Sequence, residues 1–124
     1  MTIAYYGLIL LLLVQVVFQA LLAAGKPWGK VAWGGTYSGV LPHKLRRVSG
    51  LVALVYLLVV TILMQYALIG AVFTERGFNI LLWCLLVFFT LGTVLNLLSP
   101  SRPERIWAVY TLTAAGCIAA LLLG

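Results

Sequence analysis

The sequence contains no aspartate, only two glutamates (Glu75 and Glu104), one histidine (His43) and two cysteines (Cys84 and Cys117). Each scarcity excludes a chemistry. One imidazole in a chain cannot build a bis-histidine haem site or a multi-histidine metal centre. Serine and cysteine nucleophiles have no carboxylate and histidine at a compatible depth to activate them. Neither glutamate falls inside a predicted span, whereas proton-coupled transporters generally need an ionisable residue at membrane depth; a small four-helix exporter is therefore disfavoured. His43, next to Lys44, reads as an interfacial side chain. No metal site is predicted, and the sequence leaves any cofactor unknown. The residues favour a non-enzymatic protein and leave enzymatic chemistry open.

Charge is equally scarce. Of 124 residues, 65% are hydrophobic and 8% charged, and the mean hydropathy is +1.18. Too few polar side chains remain to cover a water-facing globule, so lipid must be the solvent. The charges gather at 26–47, 75–76 and 102–105 and leave four apolar blocks between them. A helix rising ~1.5 Å per residue needs roughly 20 residues to cross ~30 Å of hydrocarbon. The blocks predict helices over roughly 3–24, 49–73, 78–98 and 105–123, joined by a loop over 25–48 and two shorter ones. Runs such as Leu8 to Val14 and Leu51 to Val60 do not alternate, which disfavours a β-barrel. The expected fold is all-α: one polytopic transmembrane four-helix bundle over residues 1–124. The first helix is not read as a cleaved signal peptide, because no basic residue precedes Lys26 and the apolar run exceeds the ~7–15 residues of a signal core.

A formal charge of +6 suggests nucleic acid only until the charges are located. Lys26, Lys30, Lys44, Arg46 and Arg47 lie between helices 1 and 2, Arg102 and Arg105 lie between helices 3 and 4, and Arg76 alone lies in the middle loop. The first and third loops share a side, so the positive-inside rule places them in the cytoplasm and both termini outside. Trp28, Trp33, Tyr37 and Trp107 then fall near the inner interface, and Tyr5, Tyr6, Tyr66 and Trp83 nearer the outer one. The expected location is a bacterial inner membrane. The expected partners are anionic lipid headgroups at the cytoplasmic face and other membrane chains or a second copy, with no nucleic acid. Pro42 suits the first turn of an early-starting helix 2, and Pro103 with Glu104 the first turn of helix 4.

Residues 25–42 are the one stretch that spanning a bilayer does not explain. Five glycines are interleaved with Trp28, Trp33 and Tyr37, a composition suited either to a folded cap that forms a binding surface or to a simple interfacial linker. Neither GxGxxG nor GxxxxGK[ST] is present, so a phosphate loop is not indicated. Trp28, Trp33, Gly34, Gly35, Tyr37 and Arg46 are the loop's candidate ligand or partner contacts.

The pattern Gly25-x-Pro27-Trp28-Gly29-x-x-Ala32-Trp33-Gly34-Gly35, then Gly39-x-Leu41-Pro42-x-x-Leu45-Arg46-x-x-Ser49, resembles a family of small, uncharacterised four-helix bacterial integral membrane proteins. Ser99-x-Ser101-x-Pro103-Glu104-Arg105 resembles the same family. The resemblance implies the four-span topology and a bacterial origin, and it implies no chemistry. The family pattern commonly has Gln-His where this chain has Thr36-Tyr37.

Within the spans, Gln15 and Gln19 lie one turn apart and must face the same way. Asn96 lies at a depth similar to that of Gln19, while Thr61 and Gln65 lie farther out on helix 2. These residues read either as a polar track lining a cavity for a lipid, quinone or other small ligand, or as hydrogen-bonding glue between helices. Cys84 and Cys117 fall at similar depths near the outer side and are a possible disulfide, or else two buried thiols acting as small hydrophobes. Ala115 with Ala119, and Gly116 with Ala120, permit close helix contact. The leading functional expectation is a non-enzymatic protein acting by interaction, as an accessory or assembly subunit or a homo-oligomer. The alternative is a small-ligand carrier or membrane enzyme using the Gln15/Gln19 face and the Trp28–Tyr37 loop.

Overall fold

All four prolines, Pro27, Pro42, Pro100 and Pro103, fall outside the long apolar runs or at the start of a helix, where a missing N–H breaks no ladder. The runs are therefore free to be helical, and a computed structural model, which describes residues 3–69 and 75–124, shows that they are. Helix α1 is Ile3–Ala24, α2 is His43–Ile69 and α3 is Glu75–Leu97. The short α4, Arg102–Arg105, leads into α5, Trp107–Leu123, and the two form one membrane-length segment. Two 3-10 turns, Gly29–Val31 and Trp33–Gly35, lie between α1 and α2, and there is no strand among the described residues. Four segments, Ile3–Ala24, His43–Gln65, Glu75–Leu97 and Arg102–Leu123, are long and apolar enough to cross a membrane. This is the helical bundle expected of a multi-pass membrane protein.

Helix ends explain where these boundaries fall. Gly25, at φ +105°, closes α1: its N–H reaches Leu22 O at 3.1 Å and that of Lys26 reaches Leu21 O at 3.0 Å, the paired bonds of a Schellman ending. Helix α2 starts at His43, the early start that Pro42 suggested and not the 49 that hydropathy gave: Pro42 O accepts the first helical bond, from Arg46 N at 3.0 Å. The loop is correspondingly shorter, 25–42. Helix α3 starts at Glu75 rather than 78, and the last span at Arg102 rather than 105. The expected end of helix 2 at 73 and the side chain of Tyr66 lie outside the described residues.

Helix α1 packs along both α2 and α5, and α3 packs along α5. The end of the bundle away from the 25–42 loop is filled by Leu8, Leu12, Leu63, Leu82, Phe89 and Ile118, all at most 1% exposed. Near the loop a smaller cluster joins Leu22, Ala32 and Leu41 to Phe18 and Leu45. The outward faces are apolar, with Leu54, Leu95 and Val109 among the exposed large side chains. Lipid tails are as apolar as leucine, so packing and interhelical hydrogen bonds, averaging ~0.6 kcal/mol each, hold such bundles together. Tyr5 donates to Leu63 O at 3.0 Å, Tyr110 donates to Leu11 O, and the hydroxyls of Thr93 and Thr111 meet at 2.8 Å.

Candidate functional site

The 25–42 loop folds into a cap because its backbone groups find partners on distant elements. Ser101 heads α4, and its hydroxyl accepts from Glu104 N at 3.4 Å. The same hydroxyl donates to Lys30 O at 2.6 Å. Trp107 donates its indole N–H to Val31 O at 2.8 Å, and Gly34 N–H donates to Glu104 Oε1 at 3.2 Å. The other carboxylate oxygen of Glu104 accepts from Ser99 Oγ at 2.9 Å, and that hydroxyl in turn accepts from Ser101 N at 3.2 Å. This is a capping box with one hydroxyl interposed. The two loops form a single hydrogen-bonded lid.

Two glycines are dictated by close approach. A Cβ on Gly29 would lie 2.1 Å from Tyr37 O, and one on Gly35, whose φ is +72°, would lie 2.3 Å from Ser101 Cβ. Between them Trp33 also takes a positive φ, 51°. A non-glycine residue holds that conformation only when its surroundings over-determine it, and here the indole donates to the fully buried Ser49 Oγ at 2.9 Å.

Beneath this lid lies a cavity of about 260 Å³, just below the ~300–1,000 Å³ typical of small-molecule sites. Every long helix and the cap contribute: Gln15, Phe18 and Gln19 from α1, Tyr56 from α2, Phe88, Gly92 and Asn96 from α3, Trp107, Tyr110 and Thr111 from α5, with Trp33 and Glu104 at the lid. An aromatic chain borders it. Trp28 stacks on Phe18 at 6.2 Å, Phe18 meets Trp107 at 4.7 Å, and Trp107 meets Tyr110 edge-on at 5.3 Å. Phe89 links Tyr110 to Phe88, which meets Tyr56 at 6.4 Å.

Inside, Gln19 Nε2 donates to Gln15 Oε1 at 3.2 Å. Gln19 Oε1 is the one buried side-chain polar atom without a hydrogen-bond partner among the described residues. Such an orphan costs about 1–3 kcal/mol; the oxygen itself is buried among its neighbours, and it is the rest of the Gln19 side chain that borders the cavity.

Of the residues singled out in the sequence, Gln15, Gln19, Trp33 and Asn96 come together around the cavity. Trp28, Gly34, Gly35, Tyr37 and Arg46 do not line it. Gly34 and Gly35 shape the lid, Trp28 supports Phe18, and Tyr37 is exposed. Arg46 donates from Nε to Ala23 O at 3.1 Å and so caps the end of α1, while Arg105 donates to Ser99 O, in the turn after α3, at 2.7 Å. Thr61 is exposed and bonds back to Leu57 O in its own helix, so it leaves the polar track. Cys84 and Cys117 are both free: Cys84 is exposed on α3, while Cys117 Sγ faces Gly7 of α1, so the suggested pairing is not formed.

Sequence reading missed Glu104, Tyr56, Tyr110 and Thr111 as site residues. A carboxylate so rare in this chain was itself the available signal. No group of three or more histidine, cysteine, aspartate or glutamate residues capable of holding a metal occurs among the described residues.

No family model matches the chain, and no curated protein or solved structure is detectably similar to it.

Proposed function

We propose that this protein binds a small molecule in the cavity beneath the cap, as a membrane-embedded ligand-binding protein or carrier. The amide side chains of Gln15, Gln19 and Asn96, gathered with Glu104 around a cavity bordered by every long helix, carry the reading: a bundle assembled only to hold a partner subunit has no use for a polar hollow among its helices. The alternative of an accessory or self-associating subunit draws on the exposed Gly116 and Ala120 of α5, which offer a smooth surface and no recognition chemistry.

The setting belongs to the same proposal. Seven of the eight basic residues lie at the capped end, which supports a cytoplasmic cap, external termini and contact with anionic headgroups. The loop patterns support membership of the small bacterial four-helix family and hence a bacterial inner membrane.

The test is purification in mild detergent followed by solvent extraction and mass spectrometry. One molecular species at close to one per chain, depleted in Gln19→Leu, is expected. Protein that carries nothing above the bulk lipid and detergent background overturns the proposal. Labelling of a Lys30→Cys variant from the cytosolic side checks the orientation, and labelling only from outside overturns that part.

A further inference from the structure

A second volume adjoins the cavity. Helices α2 and α3 face each other across a groove of about 300 Å³ with no polar lining, formed by Leu51, Val52, Val55 and Val59 on one side and Leu85 on the other. Tyr56 and Phe88 line both volumes, their rings in edge contact at 6.4 Å. The polar cavity and the apolar groove thus share two lining side chains, and a molecule occupying both runs past Tyr56 and Phe88.

Resting on the ligand-binding reading above, we propose that the molecule bound is a membrane amphiphile whose compact, uncharged head sits in the cavity and whose hydrocarbon chain lies in the α2–α3 groove. The head is one that hydrogen-bonds, because the amide residues Gln15, Gln19 and Asn96 line the cavity. It is not anionic, because the Glu104 carboxylate lines the same space and like charges in a low-dielectric site repel strongly. The aromatic border favours a flat or apolar-faced head over a highly hydrated one.

The chain follows from topology. The far half of the bundle is filled by the Leu8, Leu12, Leu63 and Phe89 cluster, and the cap covers the near end. What adjoins the cavity sideways is the groove, whose Leu51, Val55 and Phe88 are 62%, 61% and 55% exposed and so face the lipid. A hydrocarbon chain there leaves the bilayer for a surface of the same polarity, and the head alone decides the affinity.

The probe is dodecan-1-ol carrying a diazirine at mid-chain, photolysed with the purified full chain in phosphatidylcholine nanodiscs. Labelling is expected to saturate, to map to Val52, Val55, Val59 and Leu85, and to be displaced by dodecanol but not by dodecanoate. Gln19→Leu removes one of the lining amides and weakens apparent affinity about three- to tenfold, the equivalent of one hydrogen bond. Val55→Trp fills the groove from its lipid side and abolishes labelling there, with thermal unfolding used to confirm that the bundle is intact.

Labelling that does not saturate, ignores Gln19→Leu or survives Val55→Trp identifies ordinary annular lipid and overturns the inference. If Val55→Trp still retains the co-purifying species at one per chain, the ligand-binding reading stands and the amphiphile falls. If no species co-purifies with wild type, both fall.

Discussion

The backbone N–H of Gly34 donates to Glu104 Oε1 at 3.2 Å across a separation of 70 residues. With Ser99 Oγ on the other oxygen at 2.9 Å, one carboxylate joins the cap to the start of the last span. Bonds to a charged group contribute about 1.5–3 kcal/mol each. Glu104→Ala is expected to lower stability in mild detergent by about 2–4 kcal/mol and to expose the cap to cleavage after Lys30. Glu104→Gln, which keeps an acceptor for Gly34, should cost roughly half as much. Thermal unfolding and limited trypsin digestion measure both.

The glycines of the cap separate cleanly by position. Gly29→Ala and Gly35→Ala each force a Cβ into backbone or side-chain atoms and are expected to cost about 2–4 kcal/mol, an overpacking penalty with, at Gly35, the added strain of a positive φ. A Cβ on Gly39 meets nothing within 4 Å, so Gly39→Ala should change stability by less than about 0.5 kcal/mol. Equal losses at all three positions would contradict the described loop.

Trp33 and Ser49 form the clasp that holds the positive-φ residue in place. Trp33→Phe and Ser49→Ala should each destabilise the cap, and the double variant should recover a coupling of about 1 kcal/mol. A coupling near zero would remove the clasp from the account.

The cysteines offer a chemical check on helix rotation. Denatured, unreduced protein should take up two alkylating groups, as both thiols are free. In the folded protein a small, lipid-soluble maleimide should modify exposed Cys84 well before Cys117, which is packed toward Gly7. The reverse order would require α3 or α5 to be turned about its axis.

The four spans were legible because polarity is rationed so unevenly along this chain, but hydropathy marks where a helix is apolar, not where it is helical. The first turns of α2 carry Lys44, Arg46 and Arg47, so hydropathy alone starts the helix at 49, and Pro42 was the local signal for the earlier start. Gln15, Gln19 and Asn96 were legible as a site for the opposite reason: an amide in an apolar run stands out. Tyr56, Phe88 and Tyr110 did not, since an aromatic on a span suits lipid and cavity alike. The deciding variable is rotation about the helix axis, and helices apolar all round encode it weakly. The same gap explains Cys84 and Cys117, placed at similar depths but on faces that do not meet. Glu104 was read as a charge suited to a helix start, which it is, and its reach to Gly34 depends on a loop fold no local pattern announces.

Lys30, Gly34 and Val31 take their hydrogen bonds from, or give them to, residues 71, 70 and 76 positions later in the chain. During synthesis the first hairpin therefore leaves the ribosome with its connecting segment unclosed, and closure waits for the last span to insert beside α1 and α3. A nascent chain stopped after α3 would leave Lys30 O, Val31 O and Gly34 N–H to water instead of to these partners.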